Sequence, residues 1–193
     1  GKSFDELADY YASIFADEKV YLVGFSLGGY IATYFSTLYP KHIEKLFIIS
    51  NSPTSLSVDE LNKRVETLKF IETHGYKGMS RIRAASMLDS ANQTSHYINS
   101  IIDMDCELGE HQLVSQYRHT SERSDLSLAI MNFPFETYFY YSEKDKLSNS
   151  KWINELDNAS PKLSVLCEPG SGHMLPYEKP VELANYINEW AEV

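Results

Sequence analysis

Cysteine is scarce: the chain has only Cys106 and Cys167 among its 193 residues. Two cysteines in different parts of a chain of this size do not make a disulfide framework, and both are expected to be buried free thiols in a reducing compartment. Long apolar runs are missing as well. No stretch approaches the roughly 20 residues needed to cross a bilayer, and no signal-peptide pattern is present, so no membrane span is expected and a cytoplasmic setting is. Clustered basic residues are absent: 17 Lys and Arg stand against 27 Asp and Glu, for a net charge of -10. Binding to a phosphate backbone needs Lys and Arg in a stripe, so a nucleic-acid partner is not expected. Internal repeats and low-complexity tracts do not occur, and nothing in the pattern specifies an oligomeric state. What remains is 43% hydrophobic and 13% aromatic, enough to bury the core of one domain with room for an inserted subdomain.

The stretch "VYLVGFSLGGYIATYF", Val20 to Phe35, carries the strongest local signal. Val20 to Val23 reads as a short buried strand bounded by Gly24. Tyr30, Ile31, Tyr34, Phe35 and Leu38 then recur on one face of a helix that Pro40 ends, and Leu46 to Ile49 reads as a second buried strand. Strand, helix and strand in this order make a parallel βαβ unit. Upstream, Ser3 and Glu6 have capping-box spacing ahead of a helix over about residues 4–16. From Asn51 to about Ile130 strand-like runs stop. Val58 to Ile71, Met79 to Leu88 and Ser95 to Ile102 carry helical periodicity, which predicts a helical insertion over 52–130 between core parts 1–51 and 131–193. Alternation resumes with a strand at Thr137 to Tyr141, a helix at Asn149 to Leu156, a strand at Leu163 to Leu166, and a last helix entered at Pro180. The fold class is α/β, a mostly parallel sheet flanked by helices.

Gly24-Phe25-Ser26-Leu27-Gly28 fits G-x-S-x-G between a predicted strand and a predicted helix, the context in which that motif presents a nucleophilic serine. Small neighbours allow a strained turn there, and the N–H of Leu27 at the helix start can face a developing oxyanion. The plain alternative is a tight turn with Ser26 as helix cap. A serine nucleophile needs a base, and the base needs an orienting acceptor. Of six histidines, His42 sits in a polar connection, and His74, His96, His111 and His119 fall in the insertion. Only His173, in "GSGHMLPYEKP", occupies a small-residue loop between a predicted strand and helix, where ligands collect on a parallel sheet. "YFYYSEKDKLSN" offers Glu143 and Asp145 as the acid, with Asp145 favoured because it stands deeper in its loop. The order Ser26, Asp145, His173 is that of an α/β-hydrolase triad.

Those three motifs resemble the α/β-hydrolase superfamily, in its cap-bearing esterase and lactonase-like branch. "VYLVGFSLGGYIA" is similar to the nucleophile elbow, "YYSEKDKLSN" to the acid loop, and "GSGHMLPYEKP" to the histidine loop, with Glu178 and Pro180 at the family's spacing. "RSDLSLAIMNFPFETYFYYSEKD" resembles the passage from cap to strand. The resemblance implies Ser26 as nucleophile, Asp145 as acid and His173 as base. It also implies first strands and a second oxyanion donor upstream, so the chain is expected to be an N-terminal truncation. Gly1-Lys2-Ser3 resembles the end of the family's G-x-G-x-S loop; a rival reading takes it as the tail of a phosphate-binding P-loop.

The expected reaction is hydrolysis of a carboxylic ester through an acyl-enzyme, with no metal and no organic cofactor required. Carbon-carbon, thioester or lactone hydrolysis on the same residues, or a non-catalytic binding protein of this fold, are the alternatives. The expected partner is a small-molecule acyl substrate with an apolar part. Phe70, Met79, Met87, Leu88, Tyr97 and Met104 could line an apolar pocket above Ser26, or simply pack the insertion onto the core.

Overall fold

The computed structural model describes residues 2–192. Four parallel strands lie in the order β1 (Val20–Phe25), β2 (Ile43–Ile49), β3 (Glu136–Ser142), β4 (Leu163–Glu168). Before β1 runs α1 (Phe4–Phe15), opened by the expected capping box: Glu6 N–H donates to Ser3 Oγ at 3.2 Å, and Ser3 N–H to Glu6 Oε2 at 2.7 Å. Between β1 and β2 lies α2 (Leu27–Leu38). After β3 come α7 (Ser150–Glu155) and, beyond β4, α8 (Leu175–Glu178) and α9 (Pro180–Ala191).

The segment between β2 and β3 holds α3 (Val58–His74), α4 (Arg81–Ser86), α5 (Ser95–Thr120) and α6 (Ser127–Met131), with no strand among the described residues. The α5 helix runs well past the Ile102 end expected from periodicity, because Gly109, at φ 69°, kinks the chain and a second helical run continues from it. The short α6 and α8 carry too few turns to leave a periodic signal in sequence.

Both faces of the sheet are covered. Leu46, Ile48, Phe139 and Tyr141 pack with Phe4, Ala8, Tyr30 and Phe35 of α1 and α2, while Phe47, Ile49 and Tyr140 pack with Leu183 and Trp190 of α9. This alternation explains why β2 reads as a continuous apolar run: a parallel strand between two helical layers has no polar face. Val20 to Val23 forms the expected strand, with Tyr21 and Val23 exposed among the described residues. Among the described residues β1 pairs only with β2 and so lies at the sheet's edge. The cysteines also depart from expectation. Cys106 and Cys167 are both exposed, one on α5 and one on the outer strand β4, so neither is a core thiol.

A third apolar cluster joins the helical segment to the sheet's carboxyl end: Ala84, Leu88, Ile98 and Ile101 close on Met174. Leu126 and Ile130, by contrast, belong to the cluster under α2. No helix among the described residues is long and apolar enough to cross a membrane.

Candidate active site

Strand register sets the positions of the site. Phe25 pairs with Ile49, Ile49 with Tyr140 and Tyr140 with Leu166, so the carboxyl ends of all four strands lie side by side. Ser26 N–H donates to Ile49 O at 2.9 Å, which holds the end of β1 against β2 as the chain turns into α2. At that turn Ser26 has φ 51° and ψ -123°, a strained conformation that a non-glycine residue keeps only when its surroundings enforce it. Ser26 makes no side-chain capping bond to α2. The hydroxyl is therefore available, and the plain capping alternative does not describe this serine.

Two glycines permit the turn, and they are not the pair that the motif spells. A Cβ on Gly24 would stand 2.5 Å from Gly28 O and 2.7 Å from Gly29 Cα. A Cβ on Gly29 would stand 2.9 Å from Asn51 Cβ and 3.1 Å from Ile48 Cγ2, whereas one on Gly28 would meet nothing within 4 Å. Close approach of α2 to the sheet thus requires Gly24 and Gly29, while Gly28 is open.

The other two site residues come from the loops after β3 and β4. His173 Nε2 lies 2.9 Å from Ser26 Oγ, and His173 Nδ1 lies 2.8 Å from Asp145 Oδ2. Both residues are buried, with 3% and 4% of their surface exposed. An ionised carboxylate only accepts, so Nδ1 carries the proton and Nε2 offers its lone pair to the serine O–H. Asp145 is itself held: Leu147 N–H donates to Oδ1 at 2.9 Å and Ser148 Oγ–H to Oδ2 at 2.7 Å. Glu143, the alternative acid, stays exposed. His42 sits beside Glu18 O, and His74, His96, His111 and His119 are exposed on the helical segment.

The histidine loop is clamped to the helical segment. His173 N–H donates to Met87 O at 2.9 Å, and Ser171 N–H to Asp89 Oδ2 at 2.8 Å. Glu178 Oε1 accepts from Asp89 N–H at 2.7 Å and from Asn92 Nδ2 at 3.1 Å. The Asp89 carboxylate accepts from Ala91 N–H as well as Ser171 N–H, and these two bonds, Ala91's first, hold its pKa below the ordinary value.

A cleft of about 530 Å³ opens over Ser26, Leu27 and His173, and its lining is mainly polar. Lys63 and Arg64 reach it from α3, Arg83 from α4, and Arg123 and Lys146 from connections. None of the six apolar residues expected above Ser26 lines it. Met79, Met87, Leu88 and Tyr97 pack in the cluster that closes on Met174, while Phe70 is exposed against His74 and Met104 is also exposed. Met79, Met87, Leu88 and Tyr97 thus help to pack this segment onto the sheet's carboxyl end, and charged residues of the segment face the cleft. No group of three or more His, Cys, Asp or Glu is placed to hold a metal among the described residues. Lys2 stacks over Tyr10, and Ser3 is used by the helix cap. Gly1, on which both the G-x-G-x-S and P-loop readings draw, lies outside the described residues.

The family described as alpha/beta hydrolase fold matches residues 3–73. A thermophilic esterase from Thermogutta terrifontis, solved with malate bound, is 19% identical with a TM-score of 0.87, covering 99% of this chain and 72% of its own. The chain has the α/β-hydrolase fold. The chain also superposes on the meta-cleavage product hydrolase CumD of Pseudomonas fluorescens IP01 (16% identical, TM-score 0.75, 100% of this chain and 72% of that one). MenH from S. aureus is similar too (17% identical, TM-score 0.76, 98% of this chain and 75% of that one). No curated protein matches in sequence.

Sequence reasoning missed two sets of cleft residues. Ser50 and Asn51 follow the last residue of β2 directly, so the rule that strand ends carry ligands could have found them. Arg123 opens the quoted "RSDLSL" stretch, but nothing in its spacing says that a helical segment folds back to bring it over Ser26.

Proposed function

We propose that this chain is a serine hydrolase that cleaves a carboxylic ester by a Ser26-His173-Asp145 triad through an acyl-enzyme. The observation that carries the reading is the unbroken relay from Ser26 Oγ to His173 Nε2 at 2.9 Å and from His173 Nδ1 to Asp145 Oδ2 at 2.8 Å. His173 takes the serine proton as Ser26 Oγ attacks the carbonyl carbon, and Asp145 stabilises the imidazolium that forms. The N–H of Leu27 opens α2, where first-turn N–H groups have no acceptor within the helix, and it serves one side of the oxyanion hole. His173 then protonates the departing alcohol. It next removes a proton from water, which attacks the acyl carbon; collapse frees the acid and returns the proton to Ser26. No step asks for a metal or organic cofactor.

The helical segment over 52–130 acts in this reading as a cap, pinned to the histidine loop by Asp89 and Glu178, which shapes the substrate cleft. The similarity to an esterase supports ester cleavage, and the similarity to a meta-cleavage product hydrolase favours a second reading in which the same serine attacks another acyl bond. Titrating acid release from short alkyl esters by the full chain beside its Ser26→Ala variant tests both. Wild-type turnover and a loss of ~10⁴-fold or more in Ser26→Ala are expected. Turnover that survives the substitution removes the triad, and inactivity on every acyl substrate moves the protein to the non-catalytic binding class.

A further inference from the structure

The cleft over Ser26 has a charge opposite to that of the protein around it. Five cationic side chains and two carboxylates line it, in a chain whose net charge is -10. One of those carboxylates, Glu60, is used: its Oε1 lies 3.2 Å from Arg64 Nε. Arg64 also donates through Nη1 to Thr120 Oγ1 at 3.1 Å and Ser121 Oγ at 3.4 Å. Its charge and most of its donors are satisfied within the protein.

Arg123 is different. Its Nε donates to Thr54 O at 3.0 Å and its Cζ lies 4.7 Å over the ring of Tyr30, which fixes the plane of the guanidinium. No carboxylate among the described residues lies within ion-pair distance of it, and its two terminal nitrogens have no acceptor there. The side chain is only half exposed, and burial, followed by repulsion from Arg64, pulls its pKa down to about 10. A guanidinium held rigid, partly desolvated and unpaired is costly unless something supplies the counter-charge.

A second observation points the same way. Ser50 and Asn51 belong to the lining of the same cleft and are 1% and 8% exposed, and Ser50 Oγ and Asn51 Oδ1, both enclosed beneath the surface, have no hydrogen-bond partner. Ser50 is held at φ 49°, with its N–H donated to Tyr140 O at 2.9 Å. Polar atoms left without partners just beneath the wall of an open cleft are groups that a polar ligand satisfies once their side chains turn toward it.

We propose that the cleft selects acyl substrates carrying a carboxylate, which the open edge of the Arg123 guanidinium grips while Ser50 and Asn51 bond the polar atoms between that carboxylate and the carbonyl at Ser26. The Arg123 fork, partly buried and with two free nitrogens, matches one planar carboxylate; Arg64 is balanced by Glu60, and Lys63, Arg83 and Lys146 are exposed on the cleft wall. The Asn51 amide can turn about its last bond to offer either its oxygen or its N–H groups. Hydrolysis of such a half-ester consumes one water and releases an alcohol, a proton and a second carboxylate. The inference rests on the serine-hydrolase reading for the reaction, but its binding half stands without turnover.

The test pairs turnover with binding on the full chain. Monomethyl glutarate, with the carboxylate on the acyl side, and butanoyloxyacetate, with it on the alcohol side, are each compared with neutral methyl pentanoate. We expect kcat/KM for at least one charged ester to exceed that of the neutral ester by tenfold or more. That ratio should fall at least tenfold in Arg123→Gln and less in Arg123→Lys, which keeps the charge but loses the fork. Glutarate titrated calorimetrically should bind wild type and Ser26→Ala, and bind Arg123→Gln at least tenfold more weakly; Ser50→Ala gives a second reading if Arg123→Gln fails to fold. Glutarate binding without hydrolysis of any ester keeps this proposal and removes the hydrolase reading. Hydrolysis with no preference for charge, or equal loss on charged and neutral esters in the Arg123 variants, overturns this proposal and leaves the hydrolase.

Discussion

The floor and the roof of the cleft over Ser26 are built on different plans. The floor consists of strand ends: Ser26 is held by the β1–β2 register, and Asp145 and His173 sit in loops whose polar groups are nearly all paired. The roof consists of helices α3 to α5 and their connections, where apolar residues anchor the segment and Lys63, Arg64, Arg83 and Arg123 face inward. A parallel sheet with helices on both faces leaves its strand ends little freedom, so chemistry that needs sub-ångström placement belongs there. Helices that touch the sheet through one apolar patch can vary in charge without disturbing that geometry. In the proposed reading, reaction belongs to the floor, and selection to Arg123 of the roof together with Ser50 and Asn51 at the end of β2.

The sharpest way to break that separation is to change the floor and leave the roof alone. Asp145→Asn keeps the shape of the loop but removes the acceptor that fixes the His173 tautomer, and kcat is expected to fall by ~10⁴-fold. Glu143→Gln, two residues away and exposed, should change kcat by less than about twofold; equal losses in the two variants would mean that the loop's charge, and not the relay, matters. Stability comes next. Gly29→Ala drives a Cβ to 2.9 Å from Asn51 Cβ and is expected to cost roughly 1–3 kcal/mol in denaturant unfolding. Gly28→Ala, with open space at its Cβ, should be neutral or stabilise α2 by up to about 1 kcal/mol.

The join between floor and roof carries smaller effects. Glu178→Gln retains the size of the side chain but weakens the bonds from Asp89 N–H and Asn92 Nδ2, so a loss of roughly 1–2 kcal/mol is expected, read as a lower Tm. Smallest is the acid response of Asp89. Its folded pKa lies below the ordinary 3.8, so its contribution is fully present above that value and is lost as pH falls through the lower folded pKa. Against Asp89→Asn, wild type should hold a stability advantage near neutral pH that disappears on acidification. An advantage unchanged at low pH would assign the effect to shape and not to charge.

Much of the floor was legible in the residues. β-branched and aromatic runs at Leu46 to Ile49 and Thr137 to Tyr141 mark strands because a doubly covered parallel strand must be apolar throughout. Helical spacing after Ser26 marks α2, and the small-residue loop around His173 follows a strand. The same rules read a strand at Val20 to Val23, and it forms, with Tyr21 and Val23 exposed among the described residues. They also placed Cys106 and Cys167 inside, from the usual burial of free thiols, when both face solvent. The roof was misread for a related reason. Periodicity shows that a helix has an apolar face, but which surface that face meets depends on how the whole segment folds back.

By itself the sequence determined the α/β alternation, the strained junction at Ser26 and the separate loops that carry Asp145 and His173, because each of these depends on neighbours within a few residues in the chain. Only the tertiary structure decided that Asp145 and not Glu143 meets His173, that Gly29 and not Gly28 lets α2 approach the sheet, and that Arg123 stands unpaired in the cleft with Ser50 and Asn51. Each of those facts is a distance between residues far apart in the chain, set by strand register and by the way the helical segment packs over the sheet.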